Sequence, residues 1–578
     1  MPAPPVNPSQ PHTPEALLSA ITQAGWEMHR VWMNMAAAMP SGLPTPAESP
    51  KAAFLQAEFA GKQAQLWGAM LQRQQGANPE PVARPESGDK RFSSREWSDN
   101  PYYDYLKQSY LLAARYMAAL ADAAPLEGQA RERLRFTTRQ WVDAMCPANF
   151  AASNPDALRA ALDTRGESIA RGLANLLADA KKGQVSQTDD TAFEVGRNLA
   201  VTPGSVVFEN DLMQLIQYAP STAQVGARPL VMVPPCINKF YILDLQPGNS
   251  FVRYAVGEGH TVFMVSWKNV QADQAHRTWD DYLQLGLFDA FRVAREVTGA
   301  DKVNALGFCV GGTLLGAALA VMAAKGDDAV ASATYLTTML DFHDPGQISL
   351  FVDDASVTQR ETALGAGGIL PGADLASVFS SLRANDLIWP YVVNNYLRGG
   401  SPAAFDLLYW NADSTNLPGP MYCWYLRNTY LENRLCVPGA LVNCGVDVDL
   451  GRVRLPAFIL ATREDHIVPW RSAYRSLRHL GGEKQFVLGA SGHVAGVINP
   501  ASKGKRSFWS GGPYPEDADA WLAGAAESPG SWWPGWSRWL DAFKGGLRDA
   551  PASPGSPQYR AIEPAPGRYV KQKAKQEV

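Results

Sequence analysis

The sequence predicts an α/β protein: a buried sheet presents a nucleophile at one strand end, behind a mostly helical N-terminal domain. Three observations predict it. A glycine-framed cysteine stands between a short apolar run and a helix-forming run, Val303-Asn304-Ala305-Leu306 and then Thr313 to Met322. Two later apolar runs open into loops that hold a carboxylate and an imidazole. Before about residue 190 the apolar residues recur at helical spacing, not at the alternation of strands.

The cysteine lies in Gly307-Phe308-Cys309-Val310-Gly311-Gly312. Strand, sharp turn and helix in that order form the nucleophile elbow of an α/β-hydrolase fold, with cysteine where serine usually stands. Side chains at 307 and 311 would collide with the neighbouring strand and helix, so glycine is required there. The helix N-terminus favours the thiolate of Cys309. A packed glycine-rich turn with an inert cysteine would show the same six residues, so the other members of a triad decide the matter.

This fold places its acid and then its histidine after later strands. Ala457-Phe458-Ile459-Leu460-Ala461 reads as a strand and runs into Thr462-Arg463-Glu464-Asp465-His466, which makes Asp465 the candidate acid. Gln485-Phe486-Val487-Leu488 runs into Gly489-Ala490-Ser491-Gly492-His493, which makes His493 the candidate base. His466 is the rival, but neighbours in a loop seldom point the same way. His12, His29 and His479 lack strand-end context, and His260, His276 and His343 read as structural.

An oxyanion hole takes one N–H from the residue after the nucleophile and one from the loop after an early strand. Val310 supplies the first. The strand Leu230-Val231-Met232-Val233 stops at Pro234-Pro235, so Ile237 is the choice for the second, with Cys236 the alternative. Cys236 lacks an elbow of its own and reads as a structural thiol.

Residues 1–90 read as a poorly ordered, amphipathic segment, with Leu55, Phe59, Leu66 and Met70 on one helical face. Residues 91–190 read as a helical domain, in which Asn154-Pro155-Asp156 starts a helix, and 184–190 as a linker. The catalytic domain is expected over 191–578. Between the strand beginning at Ala333 and that at Ala457 lies an insertion far longer than a connection needs, a cap over about 341–450. Its aromatic runs, 387–396 and 407–410, suit an apolar channel or the cap's own core, and 365–372 reads as flexible. Trp532, Trp533, Trp536 and Trp539 read as a packing anchor, and 571–575 as a solvated tail.

The 578 residues, 46% hydrophobic, allow a large core, and the net charge of −4 gives no reason to expect nucleic acid. Six cysteines without regular spacing form neither a disulfide framework nor a metal-ligand pattern, which suits a reducing cytoplasm. Met1 to Asn7 lack the regions of a signal peptide. The uncharged stretch 305–324 divides into a strand and a helix, so no transmembrane segment is expected.

The elbow, the run Val233-Pro234-Pro235-Cys236-Ile237-Asn238-Lys239-Phe240-Tyr241-Ile242-Leu243-Asp244-Leu245, and Tyr425-Leu426-Arg427-Asn428-Thr429-Tyr430-Leu431-Glu432-Asn433 resemble a polyhydroxyalkanoate synthase. Gly492-His493-Val494-Ala495-Gly496-Val497-Ile498-Asn499-Pro500 and Ser531-Trp532-Trp533-Pro534 fit too, and the likeness extends from about Phe92 to Lys571. Phe308 and Val310 resemble class I, which implies polymerisation of short-chain (R)-3-hydroxyacyl-CoA, such as 3-hydroxybutyryl-CoA, with release of CoA. The resemblance further implies a homodimer on a polyester granule in the cytoplasm, granule-associated partner proteins, no metal, and no cofactor beyond the CoA of the substrate. It implies as well that Asp465 activates the attacking 3-hydroxyl, instead of or in addition to orienting His493. Two other functions fit parts of the chain. A cysteine-dependent thioesterase or esterase would finish with water, and a non-enzymatic granule scaffold would explain the amphipathic N-terminal stretch but not three strand-end residues.

Overall fold

A computed structural model describes residues 42–574 of the chain. His12, His29, the first part of the amphipathic segment and Lys575 lie outside the described residues. The chain divides into two compact units, one running to Lys181 and taking in Arg383–Ser401, the other comprising Lys182–Leu382 and the chain from Pro402 onward.

The first unit is helical. Ser49 caps the helix Pro50–Gln74 by accepting from the Ala52 N–H, and Asn100 caps Pro101–Ala123 by accepting from the Tyr102 N–H. Both helices carry proline in the first turn, where a missing N–H costs nothing. The amphipathic stripe is a regular helical face: Leu66 is buried, Leu55, Phe59 and Met70 are half-buried, and Phe59 stacks on Tyr116 at 4.8 Å. Asn154 caps Pro155–Asp163, as its sequence context predicts.

The segment 383–401, expected within the cap, belongs to this unit for a packing reason. Any side chain at Gly172 would strike the Tyr396 carbonyl, so glycine lets the two backbones meet. Asn175 then donates to the carbonyls of Asn395 and Gly400, each at 2.9 Å, and the Tyr396 hydroxyl donates to Asp179 at 2.7 Å. The aromatic run 387–396 therefore packs in the helical unit.

The second unit is built on a sheet of eleven strands among the described residues. In chain order they are β1 (Gly204–Glu209), β2 (Met213–Tyr218), β3 (Leu230–Val233), β4 (Val262–Trp267), β5 (Val303–Phe308), β6 (Val330–Leu336), β7 (Ala457–Thr462), β8 (Lys484–Gly489), β9 (Ser507–Ser510), β10 (Ala526–Pro529) and β11 (Glu563–Pro564). Across the sheet they run β10-β9-β8-β7-β6-β5-β3-β4-β2-β1-β11. The block from β4 to β8 is parallel, and the strands on either side of it add antiparallel edges. Strands β3, β4, β5 and β7 are buried along their whole length, as a sheet covered on both faces requires.

The uncharged stretch 305–324 divides between β5 and the helix Val310–Lys325, whose residues are buried almost throughout. No helix among the described residues is long and apolar enough to cross a membrane. Trp532, Trp533 and Trp536 are buried around Phe251. Residues 365–372 are tied down at Ile369–Leu370, which pairs with Leu417–Pro418, and at the Gly372 N–H, which donates to Asn416. Residues 571–574, read as part of a solvated tail, are docked instead: Asn269 donates to the Lys573 carbonyl and Lys573 pairs with Asp413.

Candidate active site

β5 ends at Phe308, and the helix starting at Val310 leaves at once in a new direction. Cys309 makes the corner with φ 54° and ψ −127°, in the positive-φ region that costs a side-chain-bearing residue energy. Glycines on both sides make the corner possible. A Cβ at Gly307 would run into the Gly312 backbone, and one at Gly311 would lie 2.7 Å from the Pro234 carbonyl oxygen. The same contact places the loop after β3 against the elbow. The Thr338 hydroxyl donates to the Cys309 carbonyl at 3.2 Å and fixes the turn from the β6 side.

The loops after β7 and β8 are stitched together by backbone bonds, Arg463 N–H to the Gly489 carbonyl at 2.8 Å and Glu464 N–H to the Ser491 carbonyl at 3.0 Å. This brings Asp465 to His493, whose Nδ1 lies 2.7 Å from Asp465 Oδ2. The Asp465 side chain has no exposed surface, and Oδ1 accepts from the N–H groups of Ile467 (2.9 Å) and Val468 (2.8 Å). The Thr462 hydroxyl donates to Oδ2 at 3.2 Å. The ring partner of Asp465 is thus His493, not the adjacent His466.

His493 is 7% exposed and lies near enough to Cys309 for the charge of a thiolate there to act on its ring. Burial opposes its protonation, but the charges of Asp465 and of a Cys309 thiolate outweigh burial and raise its pKa to about 10. Phe308 stacks on the imidazole at 5.5 Å and 23°. The tryptophan anchor braces this loop from behind: Trp532 and Trp533 donate their indole N–H groups to the carbonyls of Gly496 (3.0 Å) and Val497 (2.9 Å).

Val310 begins a helix, so its N–H has no intrahelical acceptor. Ile237 is held through its carbonyl, which accepts from the Thr415 N–H at 3.0 Å. Cys236 is buried, and burial pushes its thiol far up, with a Cys309 thiolate adding to the shift, so it stays protonated. His260 is buried and its pKa is lowered to about 4, while His276 and His343 are exposed; none of the three joins the pair at 465 and 493.

Two tyrosines that sequence reasoning left without a role lie within reach of the charge of a Cys309 thiolate. Burial and the charge of a Cys309 thiolate raise the pKa of Tyr430, and burial, Tyr430 and the same thiolate raise that of Tyr425, so both remain neutral phenols. They meet edge to face at 5.6 Å on the turn Leu426–Leu431, against Phe342, and Tyr425 stacks on Trp279. The signal was present in the run 425–433, but only as a resemblance.

Residues 88–255 match the family model described as the N-terminus of poly-beta-hydroxybutyrate polymerase (PhaC), and residues 229–500 match that of the alpha/beta hydrolase fold. The chain is 54% identical over 514 residues to the poly(3-hydroxyalkanoate) polymerase subunit PhaC of Cupriavidus necator, covering 88% of this chain and 86% of that protein. The chain belongs to the poly(3-hydroxyalkanoate) polymerase family. The Methylorubrum extorquens poly(3-hydroxyalkanoate) polymerase is 44% identical over 91% of this chain and 87% of its own length, and the Rhizobium meliloti subunit PhaC 42% over 90% and 85%. The polymerase match therefore spans the helical unit as well as the hydrolase-like sheet, and Cys309, Asp465 and His493 all lie in the part that matches the α/β-hydrolase fold.

Proposed function

We propose that this chain polymerises short-chain (R)-3-hydroxyacyl-CoA into a polyester, with Cys309 as the acyl carrier. The observation that carries the mechanism is an imidazole near the elbow cysteine whose Nδ1 is held by a buried carboxylate, with Phe308, the residue before that cysteine, stacked on its ring. His493 takes the thiol proton, and the thiolate attacks the thioester carbonyl. The Val310 and Ile237 N–H groups receive the oxyanion, and CoA leaves with the proton from His493. In the second half His493 removes the proton of a 3-hydroxyl, whose oxygen displaces Cys309 and forms the ester bond. Acyl transfer from thiol to thiol is nearly isoenergetic, whereas thioester to oxoester runs downhill, so the second step drives chain growth.

Asp465 serves His493 in this scheme. Its oxygens already accept from His493, Thr462 and two backbone N–H groups, and its side chain has no surface open to a substrate hydroxyl. The chemistry needs neither a metal nor a cofactor besides the CoA of the substrate. A granule surface as partner is supported by the apolar face on the helices Pro155–Asp163 and Glu167–Lys182, where Leu162 is 79%, Ile169 60% and Leu173 56% exposed. Partition of an Ile169→Asp, Leu173→Asp variant between granules and supernatant tests that surface, and sedimentation tests the homodimer. Six free cysteines suit the cytoplasm.

Incubation with 3-hydroxybutyryl-CoA decides between polymerase and thioesterase by the fate of the acyl group. Insoluble ester-linked chains with little free acid are expected, and butyryl-CoA should acylate Cys309 and stop. Stoichiometric free acid, or rapid turnover of butyryl-CoA, would place the protein among thioesterases.

A further inference from the structure

We propose that the C-terminal tail positions the oxyanion donor, with Lys573 and the Gln572 carbonyl holding the Ile237 loop in its working shape. The proposal rests on the reading of Cys309 as acyl carrier and Ile237 as donor, and goes beyond it in giving the tail a part in the chemistry.

The loop after β3 has no regular structure until the short turn Phe240–Leu243, so its shape is set by what it touches. Its first support is the segment 413–416. Thr415 N–H donates to the Ile237 carbonyl at 3.0 Å, and Asn238 pairs with Ser414 as an isolated bridge. Trp410 adds its indole N–H on the Lys239 carbonyl at 2.7 Å.

That support is itself irregular backbone, and it is held by charge. The Asp413 side chain is only 2% exposed, and its carboxylate receives the Tyr241 hydroxyl at 3.0 Å and the Lys573 ammonium at 2.9 Å. Asn269 closes the same link from the β4 side. Its amide donates to the Lys573 carbonyl at 3.2 Å, and its oxygen accepts the Asn416 N–H at 3.0 Å.

The second support is direct. Lys239, two residues beyond Ile237, is buried, and its ammonium donates to the Gln572 carbonyl at 2.7 Å. Lys573 in turn sits over the Tyr409 ring at 5.0 Å. Two residues of tail thus supply an acceptor to one buried charge and a cation to another, and both charges belong to segments that grip the Ile237 peptide. Buried charges that lose a partner rearrange or let in water, and either response moves the loop. An oxyanion donor displaced by about 1 Å loses on the order of 10²-fold in rate.

Two reactions of Cys309 separate this role from a general loosening. Alkylation by iodoacetamide needs the thiolate and His493 but forms no oxyanion, whereas acylation by 3-hydroxybutyryl-CoA needs all three. Full-length Lys573→Ala, Lys573→Arg and a chain ending at Lys571 should be compared with wild type in single-turnover CoA release and in alkylation rate. The shortened chain should acylate at least about 10-fold more slowly, Lys573→Ala should fall between it and wild type, and Lys573→Arg should recover most of the rate, all with unchanged alkylation. Acylation at the wild-type rate in the shortened chain overturns the proposal, and so does a parallel loss of acylation and alkylation, which makes the tail a prop for the whole site. If the wild-type protein takes its acyl group elsewhere than on Cys309, the underlying reading falls, an outcome separate from either of these.

Discussion

Among the described residues a cysteine, a histidine and an aspartate come near one another at two places, and the proposed mechanism runs at one of them. At the elbow, His493 Nδ1 meets Asp465 at 2.7 Å, and the charge of a Cys309 thiolate acts on the same ring. At the other place, beyond the end of β6, His479 Nε2 meets Asp341 at 2.9 Å and Cys436 completes a group whose ligand atoms lie within 4.8 Å of one another. The backbone makes the difference. Cys309 is forced to positive φ ahead of a 16-residue helix, whereas Cys436 ends a short 3-10 turn and donates its thiol to the Asn433 carbonyl at 3.3 Å. Burial, then the charge of Asp341, pushes the Cys436 thiol up to about 11, so it stays protonated. Asp341 is saturated by His479, the Asn433 amide and the His343 N–H, an arrangement that ties chain segments together. On the proposed mechanism the same three residue types make a reaction centre in one setting and a structural clasp in the other.

The largest expected effect breaks the pair apart most simply. Cys309→Ala should lower acylation by at least about 10³-fold with the fold intact, and Cys436→Ala should leave the rate near wild type in a stopped-flow CoA assay. Equal losses in the two variants would erase the distinction. His493→Gln should cost about 10²- to 10⁴-fold in acylation because an unassisted thiol is mostly protonated at neutral pH, while His479→Gln should show in Tm and not in rate. Asp465→Asn should slow acylation about as severely as His493→Gln. Normal acylation followed by stalled elongation would give Asp465 the 3-hydroxyl instead.

The two histidine–aspartate pairs also fail at opposite ends of the pH scale. The folded state raises the His493 pKa from 6.5 to about 10, so its contribution to stability is complete below 6.5 and disappears as pH climbs toward 10. For Asp341, burial raises the pKa, but the hydrogen bonds from His479, Asn433 and the His343 N–H more than reverse it and hold the value far below the ordinary 3.8. Its contribution is complete above 3.8 and is lost as pH falls further. Melting curves across pH should therefore show His493→Gln flattening the alkaline limb and Asp341→Asn the acid limb. The smallest effect concerns the ring on His493: Phe308→Ala should cost acylation about threefold to tenfold, the equivalent of roughly 0.5–1.5 kcal/mol for a lost stacked pair.

The strand ends were legible because they are local. Glycine at 307 and 311, an apolar run that stops, and a carboxylate or imidazole just beyond are patterns within a dozen residues, and the structure brings Asp465 and His493 together with Cys309 from three such patterns. Contacts made across long stretches of chain left no such mark. Residues 383–401 leave the insertion for the helical unit because Gly172 admits the Tyr396 carbonyl, a fit of two surfaces that neither segment announces. The tail at 572–573 has the composition of a solvated end, and only the buried charges of Lys239 and Asp413 give it a place to dock. Tyr425 and Tyr430 entered the sequence reading only within the run 425–433 that carries the resemblance, and it is the fold that packs them against each other and Phe342, within reach of the charge of a Cys309 thiolate.

On the proposed mechanism one cysteine of six carries the acyl group. Rapid quenching after a single turnover with 3-hydroxybutyryl-CoA, followed by peptide mapping of every cysteine, tests it directly. The acyl label should appear on Cys309 and on no other thiol, and should fail to form on the same timescale in His493→Gln. Label on Cys236 or Cys436, or CoA release with every cysteine unmodified at every time point, would contradict the account.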